Sequence, residues 1–144
     1  MSQRPKVPML WSRDYVGLPH ARGGRSSAGT DCYGLLWLIY RDVLGIDLAS
    51  YAGETLDAVE KEEIAELIAG GCATSPWQQV ALGAERVFDM AVFRRGKLAS
   101  HVGVVTAPGR MLHIVDVGES HVVSFTSGSW HSRLAGLYRH EALA

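Results

Sequence analysis

The sequence lacks any long hydrophobic segment. Its longest apolar run, Leu35–Tyr40, has six residues, whereas a membrane-spanning helix needs about 20. Residues 1–10 also lack the apolar core of a signal peptide. We therefore expect a protein that is made and folded in the cytoplasm and does not insert into a membrane. If its substrate lies outside the cell, something else must carry it there.

A dominant charge is missing as well. Fourteen basic and fifteen acidic side chains give a formal net charge of −1, so no strong field is present to gather nucleic acid or anionic lipid. Arg22 and Arg25 make one segment locally basic, and a solvated loop accounts for them. Nucleic acid is thus not an expected partner.

Cysteine is scarce, since the chain has only Cys32 and Cys72. They do not form a C-x-x-C pair, and two thiols with scattered histidines make no zinc-binding pattern. A structural disulfide is the alternative, although a cytoplasmic chain of this size seldom needs one. We expect no metal site.

The 144 residues fit one domain that spans the whole chain, 1–144. No repeat or interdomain linker interrupts it, and residues 1–10, with Pro5 and Pro8, are expected to form an extended arm. A loop-rich segment, Trp11–Thr30, follows. Apolar spacing then predicts a core helix over residues 31–44, with Asp31 or Thr30 as its cap and Gly45 at its end.

A second helix with one apolar stripe is predicted over Thr55–Ala69. Beyond Asp89 the sequence becomes typical of short strands separated by turn residues. These strands are predicted at Met90–Phe93, Val102–Val105, Met111–Val115, Val122–Phe125 and Ala135–Tyr138. Helices followed by hairpin-linked strands indicate an α+β fold with a small antiparallel sheet.

Cys32 lies in the first turn of the predicted core helix. Unpaired backbone N–H groups and the helix dipole favour negative charge there, which promotes a reactive thiolate. The same N–H groups are suited to stabilising an oxyanion, and Gly34 leaves room for a substrate. The alternative is a small buried cysteine without chemistry. A nucleophilic thiol also needs a base.

The six histidines offer two candidates for that base, His101 and His113 on successive predicted strands. Proline disfavours a two-residue type I′ loop at Pro108-Gly109. A three-residue loop would pair Thr106 with Arg110 and direct both imidazoles to one face of the sheet. The pattern then allows a Cys-His-His triad. Alternatively, either histidine is an ordinary surface residue, as we expect for His121, His131 and His140.

Three segments in this order resemble the NlpC-type cell-wall peptidases of the papain-like superfamily. They are Tyr15–Pro19 with Gly23-Gly24, Asp31–Leu35, and Asp89–Phe93 followed by His101–Val105 and Met111–His113. The resemblance implies a papain-like fold in which the nucleophile helix packs on the sheet. It also implies that Cys32 is the nucleophile, His101 the general base and His113 the orienting member, without metal or cofactor.

The resemblance further implies a peptidoglycan substrate, cut in its stem peptides at γ-D-glutamyl-diaminopimelate bonds. His20, Tyr33 and Gly34 are expected at the substrate and oxyanion side. This chain has His20 where the family often has tyrosine, and Phe88 where it usually has glycine. The first departure bears on substrate preference.

Ser129-Trp130 and Gly136–Arg139 resemble the phage-type branch of the family, which includes proteins of tail tips and gene-transfer particles. By this resemblance, the protein is synthesised in a bacterial cytoplasm and carried on a phage-like tail with other tail proteins. It would open the cell wall at the periplasm for DNA delivery. The alternatives are a catalytically silent structural tail-tip subunit and a different thiol amidase or acyltransferase.

Overall fold

The computed structural model describes residues 11–48, 76–95, 98–115 and 118–143. The predicted arm, the predicted helix Thr55–Ala69 and Cys72 lie outside these residues. Within them, no helix is long and apolar enough to cross a membrane.

The first segment contains a 3-10 helix, Trp11–Tyr15, and a small hairpin of β1 (Arg25–Ser26) and β2 (Gly29–Thr30). Helix α1 (Cys32–Ile39) follows at once. The sequence predicts this stretch as a loop. The hairpin was not predicted, because strands of two residues are too short to show a periodic pattern.

Helix α1 begins and ends largely as its sequence predicts. Asp31 is the N-cap, with extended backbone and a side chain that accepts from the Gly34 N–H at 2.6 Å. The helix continues as a π-helical turn, Tyr40–Leu44, and ends at Gly45 with a φ of +67°. Such a left-handed residue favours glycine. The predicted cap and stop are confirmed, and only the last turn differs in type.

Six strands form one antiparallel sheet in the order β3-β8-β4-β5-β6-β7. The strands are β3 (Trp77–Val80), β4 (Met90–Arg95), β5 (Leu98–Ala107), β6 (Arg110–His113), β7 (His121–Ser124) and β8 (Leu134–His140). A short helix, α2 (Gly128–Arg133), precedes β8. All five predicted strands are present, and the predicted α+β class is confirmed.

The β5–β6 hairpin corrects one detail of the sequence interpretation. Ala107 pairs with Arg110, so the loop is the two-residue Pro108-Gly109, and the register shifts at Thr106. Gly109 has a φ of +80°, which together with proline before it is typical of a type II turn. Turns of that type splay strands, and the bulge at Thr106 accommodates this. It also restores the pairing of Val105 with Met111, which the three-residue loop would have given.

The core forms two clusters of buried side chains. The first joins α1 to the sheet and includes Leu35, Leu36, Ile39, Tyr40, Met90, Val92, Val102, Val104 and Leu112. The second contains Ala91, Phe93, Val105, Met111, Phe125 and Leu137, with Trp130 and Leu134 packed against it. Helix α1 therefore rests on β5, the strand that carries His101.

Candidate active site

The start of α1 is held by a buried ion pair. Arg25 Nη1 lies 2.8 Å from Asp31 Oδ1, and the two side chains are only 8% and 13% exposed. The same nitrogen donates to the Gly24 carbonyl at 2.8 Å, and the guanidinium lies over the Tyr33 ring. The expectation that Arg25 is a solvated loop residue is wrong, because the N-cap carboxylate faces the hairpin. Asp31 thus orients the residues on both sides of Cys32.

Gly34 is a position of close approach between α1 and the hairpin. A Cβ atom there would lie 2.2 Å from the Gly24 carbonyl oxygen and 2.5 Å from Thr30 Oγ1. Its N–H is engaged by Asp31 at 2.6 Å. The geometry gives Gly34 a packing role beside Cys32, and its assignment to the substrate side stays a prediction.

His20 lies on a loop that is tied to the residues just before Cys32. Its backbone forms a bridge with Thr30, and the Thr30 N–H donates to the Pro19 carbonyl at 3.0 Å. The His20 side chain is partly exposed, whereas Tyr33 is buried at 5% exposure. The structure therefore places His20 and Tyr33 near Cys32 along the backbone, while their contacts with a substrate remain predictions.

Ser120 anchors that loop from the other side. Its hydroxyl accepts from the Leu18 N–H at 2.9 Å and donates to the Tyr15 carbonyl. Its backbone exchanges two further hydrogen bonds, with Gly17 at 2.8 Å and Leu18 at 2.9 Å. Sequence reasoning missed Ser120, because a serine between a turn and a strand carries no local signal of such a role.

His101 and His113 form a buried pair on neighbouring strands. His101 Nε2 lies 2.9 Å from His113 Nδ1, and the residues are 0% and 1% exposed. The prediction that both imidazoles share one face of the sheet is confirmed. If His101 donates through Nε2, its Nδ1 is the basic nitrogen and His113 must present an unprotonated Nδ1. That is the polarity needed for His101 to take a proton while His113 orients it.

Aromatic side chains enclose this histidine pair. The Trp130 ring is stacked on His101 at 5.0 Å and 24°, and meets His113 edge-on at 4.8 Å and 88°. Phe93 contacts both His101 and Trp130, with ring centroids 6.1 and 5.3 Å away. The pair therefore lies in an apolar environment, which strengthens its hydrogen bond.

The three histidines that were predicted to be surface residues differ from one another. His121 and His131 are exposed as predicted, although the His121 ring lies 4.8 Å from that of His113. His140 contradicts the prediction of a surface residue, because it is 8% exposed and meets Trp77 edge-on at 5.2 Å. Trp77, which covers His140, lies on the edge strand β3, and the sequence did not predict that strand.

Cys32 completes the set of candidate residues. It is partly buried and packs against the first core cluster, at the beginning of a helix that rests on the strand of His101. Among the described residues, no group of three side chains is arranged to hold a metal ion. The arrangement is suited to nucleophilic chemistry by a thiol with an oriented imidazole.

Comparison with known proteins gives a family match and a set of similar solved structures. A model of the NlpC/P60 family matches residues 17–139. No curated protein matches the chain.

Solved structures of the same family are similar in fold. The NlpC/p60 domain of the peptidoglycan hydrolase SagA is 18% identical with a TM-score of 0.62, over 89% of this chain and 92% of that one. A lipoprotein-like NLP/P60 family protein from Staphylococcus aureus subsp. aureus Mu50 is 21% identical with a TM-score of 0.64, over 97% of this chain and 45% of that one. An NlpC/P60 family protein from Bacillus cereus ATCC 10987 is 19% identical with a TM-score of 0.65, over 97% and 43%. The chain thus spans less than half the length of the last two.

Proposed function

The chain belongs to the NlpC/P60 family of cysteine peptidases, with a papain-like α+β fold, and on that premise we propose that Cys32, His101 and His113 hydrolyse peptide bonds in peptidoglycan stems. The observation that carries the proposal is the buried hydrogen bond of 2.9 Å between His101 and His113. When His101 donates this hydrogen bond and His113 accepts it, the buried pair suits a general base and its orienting partner.

In the proposed mechanism, His101 Nδ1 takes the proton of the Cys32 thiol, and the thiolate attacks the carbonyl carbon of the scissile bond. The resulting tetrahedral oxyanion collapses, His101 gives its proton to the leaving amine, and a thioester remains on Cys32. His101 then takes a proton from a water molecule that attacks the thioester. The carbon–sulfur bond breaks, the new carboxyl group leaves, and His101 returns its proton to the Cys32 sulfur. His113 Nδ1 accepts the hydrogen bond from the Nε2–H of His101 throughout and stabilises the transient imidazolium of His101.

The helix start is proposed to stabilise the oxyanion. The Gly34 N–H is used by Asp31 at 2.6 Å, so the backbone N–H of Cys32 is the better candidate donor in the first turn. His20 is proposed as a second donor, because its backbone is bridged to Thr30, two residues before the nucleophile. Tyr33 supports this side from beneath the Arg25 guanidinium.

The finer proposal concerns substrate and setting. Peptidoglycan is proposed because the family and the similar SagA domain act on the cell wall, and the γ-D-glutamyl-diaminopimelate bond rests on the sequence resemblance alone. Carriage on a phage-like tail rests likewise on the resemblance of Ser129-Trp130 and Gly136–Arg139, and the similar structures named above add nothing to it. The single domain of residues 1–144, with residues 1–10 as an arm, is part of the same proposal.

Mass spectrometry of digested wall fragments tests the function. The purified protein is incubated with defined stem peptides and muropeptides, with the Cys32→Ser variant as a control of the same shape. Cleavage by the wild type and not by Cys32→Ser is expected. A transferred acyl group instead of a free carboxyl would indicate a thiol acyltransferase. A folded wild type without any product would favour a structural subunit, and particle fractionation then decides whether it is carried on a tail.

A further inference from the structure

We propose that Trp130, backed by Arg133, is a positioning residue that holds His101 and His113 in the orientation required for proton transfer. This inference rests on the proposed function, in which His101 is the base and His113 its orienting partner. Trp130 belongs to α2, a short helix that packs against β4. The indole reaches the histidines from outside their own two strands.

The hydrogen bond between the histidines does not fix their rings by itself. A single contact of 2.9 Å sets one distance and one direction, and the tilt of each ring about that line depends on the side chains packed against it. The basic nitrogen of His101 must also point toward the thiol. A second constraint on the ring planes is therefore needed, because misplacement of a catalytic group by about 1 Å costs about 100-fold in rate.

Trp130 supplies that constraint to both rings. The His101 and His113 planes are nearly perpendicular, at 81°. The indole lies 24° from the plane of the first and 88° from the plane of the second. Tilting either imidazole out of its present plane would therefore bring it against the indole. Phe93, 5.3 Å from Trp130 and at 75° to it, limits movement of the indole itself.

Arg133 stacks on the indole and holds it in place. Its guanidinium carbon lies 4.2 Å from the ring centroid of Trp130, and its Nε donates to the Ser129 carbonyl at 3.3 Å. Trp130 and Arg133 are both partly exposed, whereas His101 is fully buried. The Trp130–Arg133 stack thus covers the histidine pair on one side, and the exposed His121 ring lies against His113 on another, 4.8 Å away.

The test uses a Cys72→Ser background, so that Cys32 is the only thiol. We measure kcat and KM on stem peptides and, independently, the alkylation rate of Cys32 by iodoacetamide at neutral pH. Trp130→Ala is expected to lower kcat about 100-fold with KM changed less than about threefold. Alkylation should slow at least about fivefold, because a disordered imidazole no longer favours the thiolate. Trp130→Phe keeps a flat ring and is expected to recover most of the kcat.

The matched control is a second tryptophan with an arginine on its ring. Trp37, on α1, has the Arg41 guanidinium 4.7 Å from its centroid. Trp37→Ala is expected to keep kcat within about threefold of wild type. If Trp130→Ala unfolds, Trp130→Leu keeps apolar bulk without a flat ring and is expected to lose kcat like the alanine variant.

A Trp130→Ala or Trp130→Leu protein that keeps wild-type kcat and alkylation would overturn the proposal, as would equal losses in Trp37→Ala. A wild type that cleaves no wall fragment would count against the proposed function instead. The alkylation rates would still decide the role of Trp130 in that case.

Discussion

Phe88 holds a backbone conformation that favours glycine while its ring lies against Trp11. Its φ is +77°, and the two ring centroids are 4.7 Å apart. Its carbonyl also accepts the hydroxyl hydrogen bond of Tyr40. The packing of the ring therefore compensates for a left-handed conformation that costs a non-glycine residue about 1–2 kcal/mol.

Two variants of Phe88 separate these effects. Both Phe88→Ala and Phe88→Gly lose the buried ring, which costs about 3–5 kcal/mol in unfolding free energy for alanine. Phe88→Gly is expected to be the more stable of the two by about 1 kcal/mol, because glycine adopts positive φ without strain. Chemical denaturation of the two variants measures the difference. An alanine variant as stable as the glycine variant would contradict the conformational argument.

Substitutions at His113 test the orienting hydrogen bond. His113→Ala removes the acceptor that lies 2.9 Å from His101 Nε2, and we expect kcat to fall about 100-fold. His113→Asn can place a carbonyl oxygen near the position of Nδ1, so its loss is expected to be about tenfold. Steady-state kinetics on one stem peptide compares them. Equal losses in both variants would mean that the acceptor atom is not what matters at this position.

The ion pair of Arg25 with Asp31 offers a stability test with an internal reference. Arg25→Gln leaves a largely buried carboxylate without its cation and is expected to cost about 2–4 kcal/mol. Arg41 and Asp42 form a pair of the same length, 2.8 Å, with side chains that are 46% and 39% exposed. Arg41→Gln is expected to cost under about 1 kcal/mol. If the denaturation curves showed similar losses of unfolding free energy in the two variants, burial would not be what determines the strength of these ion pairs.

His140 should make stability depend on pH. Burial lowers its pKa below the usual 6.5, with a smaller opposing effect of Glu141. As the pH falls below about 6.5, the unfolded chain therefore binds a proton that the folded protein resists, and the free energy of unfolding decreases. His140→Phe is expected to lose less stability than the wild type between neutral pH and about pH 5.5. His131→Gln, at an exposed site, should keep the wild-type dependence, and a matching change there would disprove the assignment to His140.

Local patterns were sufficient to predict most of the fold. Helix α1, its Asp31 cap and the five later strands follow from apolar spacing and turn residues, since those signals act over a few neighbouring positions. Strand β3 was not predicted, because Gln78 and Gln79 interrupt its apolar pattern. It lies at the edge of the sheet, where these two polar residues stay exposed.

The sequence pointed to the candidate histidine pair, but not to the residues that pack around the candidate site. His101 and His113 could be paired from strand register, because side chains alternate across a strand. Burial of Arg25 and His140 depends on elements distant in sequence, namely the cap of α1 and the edge strand β3. The contact of Trp130 with the histidines likewise depends on how α2 returns over the sheet, which no local spacing encodes.

Ser120 has a consequence for how specificity can change in this scaffold. Its four hydrogen bonds join the stretch from Tyr15 to Leu18 to the turn before β7, and the next residues add a bridge between Pro19 and Glu119. The two loops are therefore held together as one structural unit. Grafting only one of them from a relative would break the hydrogen bonds of Ser120, whereas exchanging both together would keep those hydrogen bonds and would move His20 with its loop.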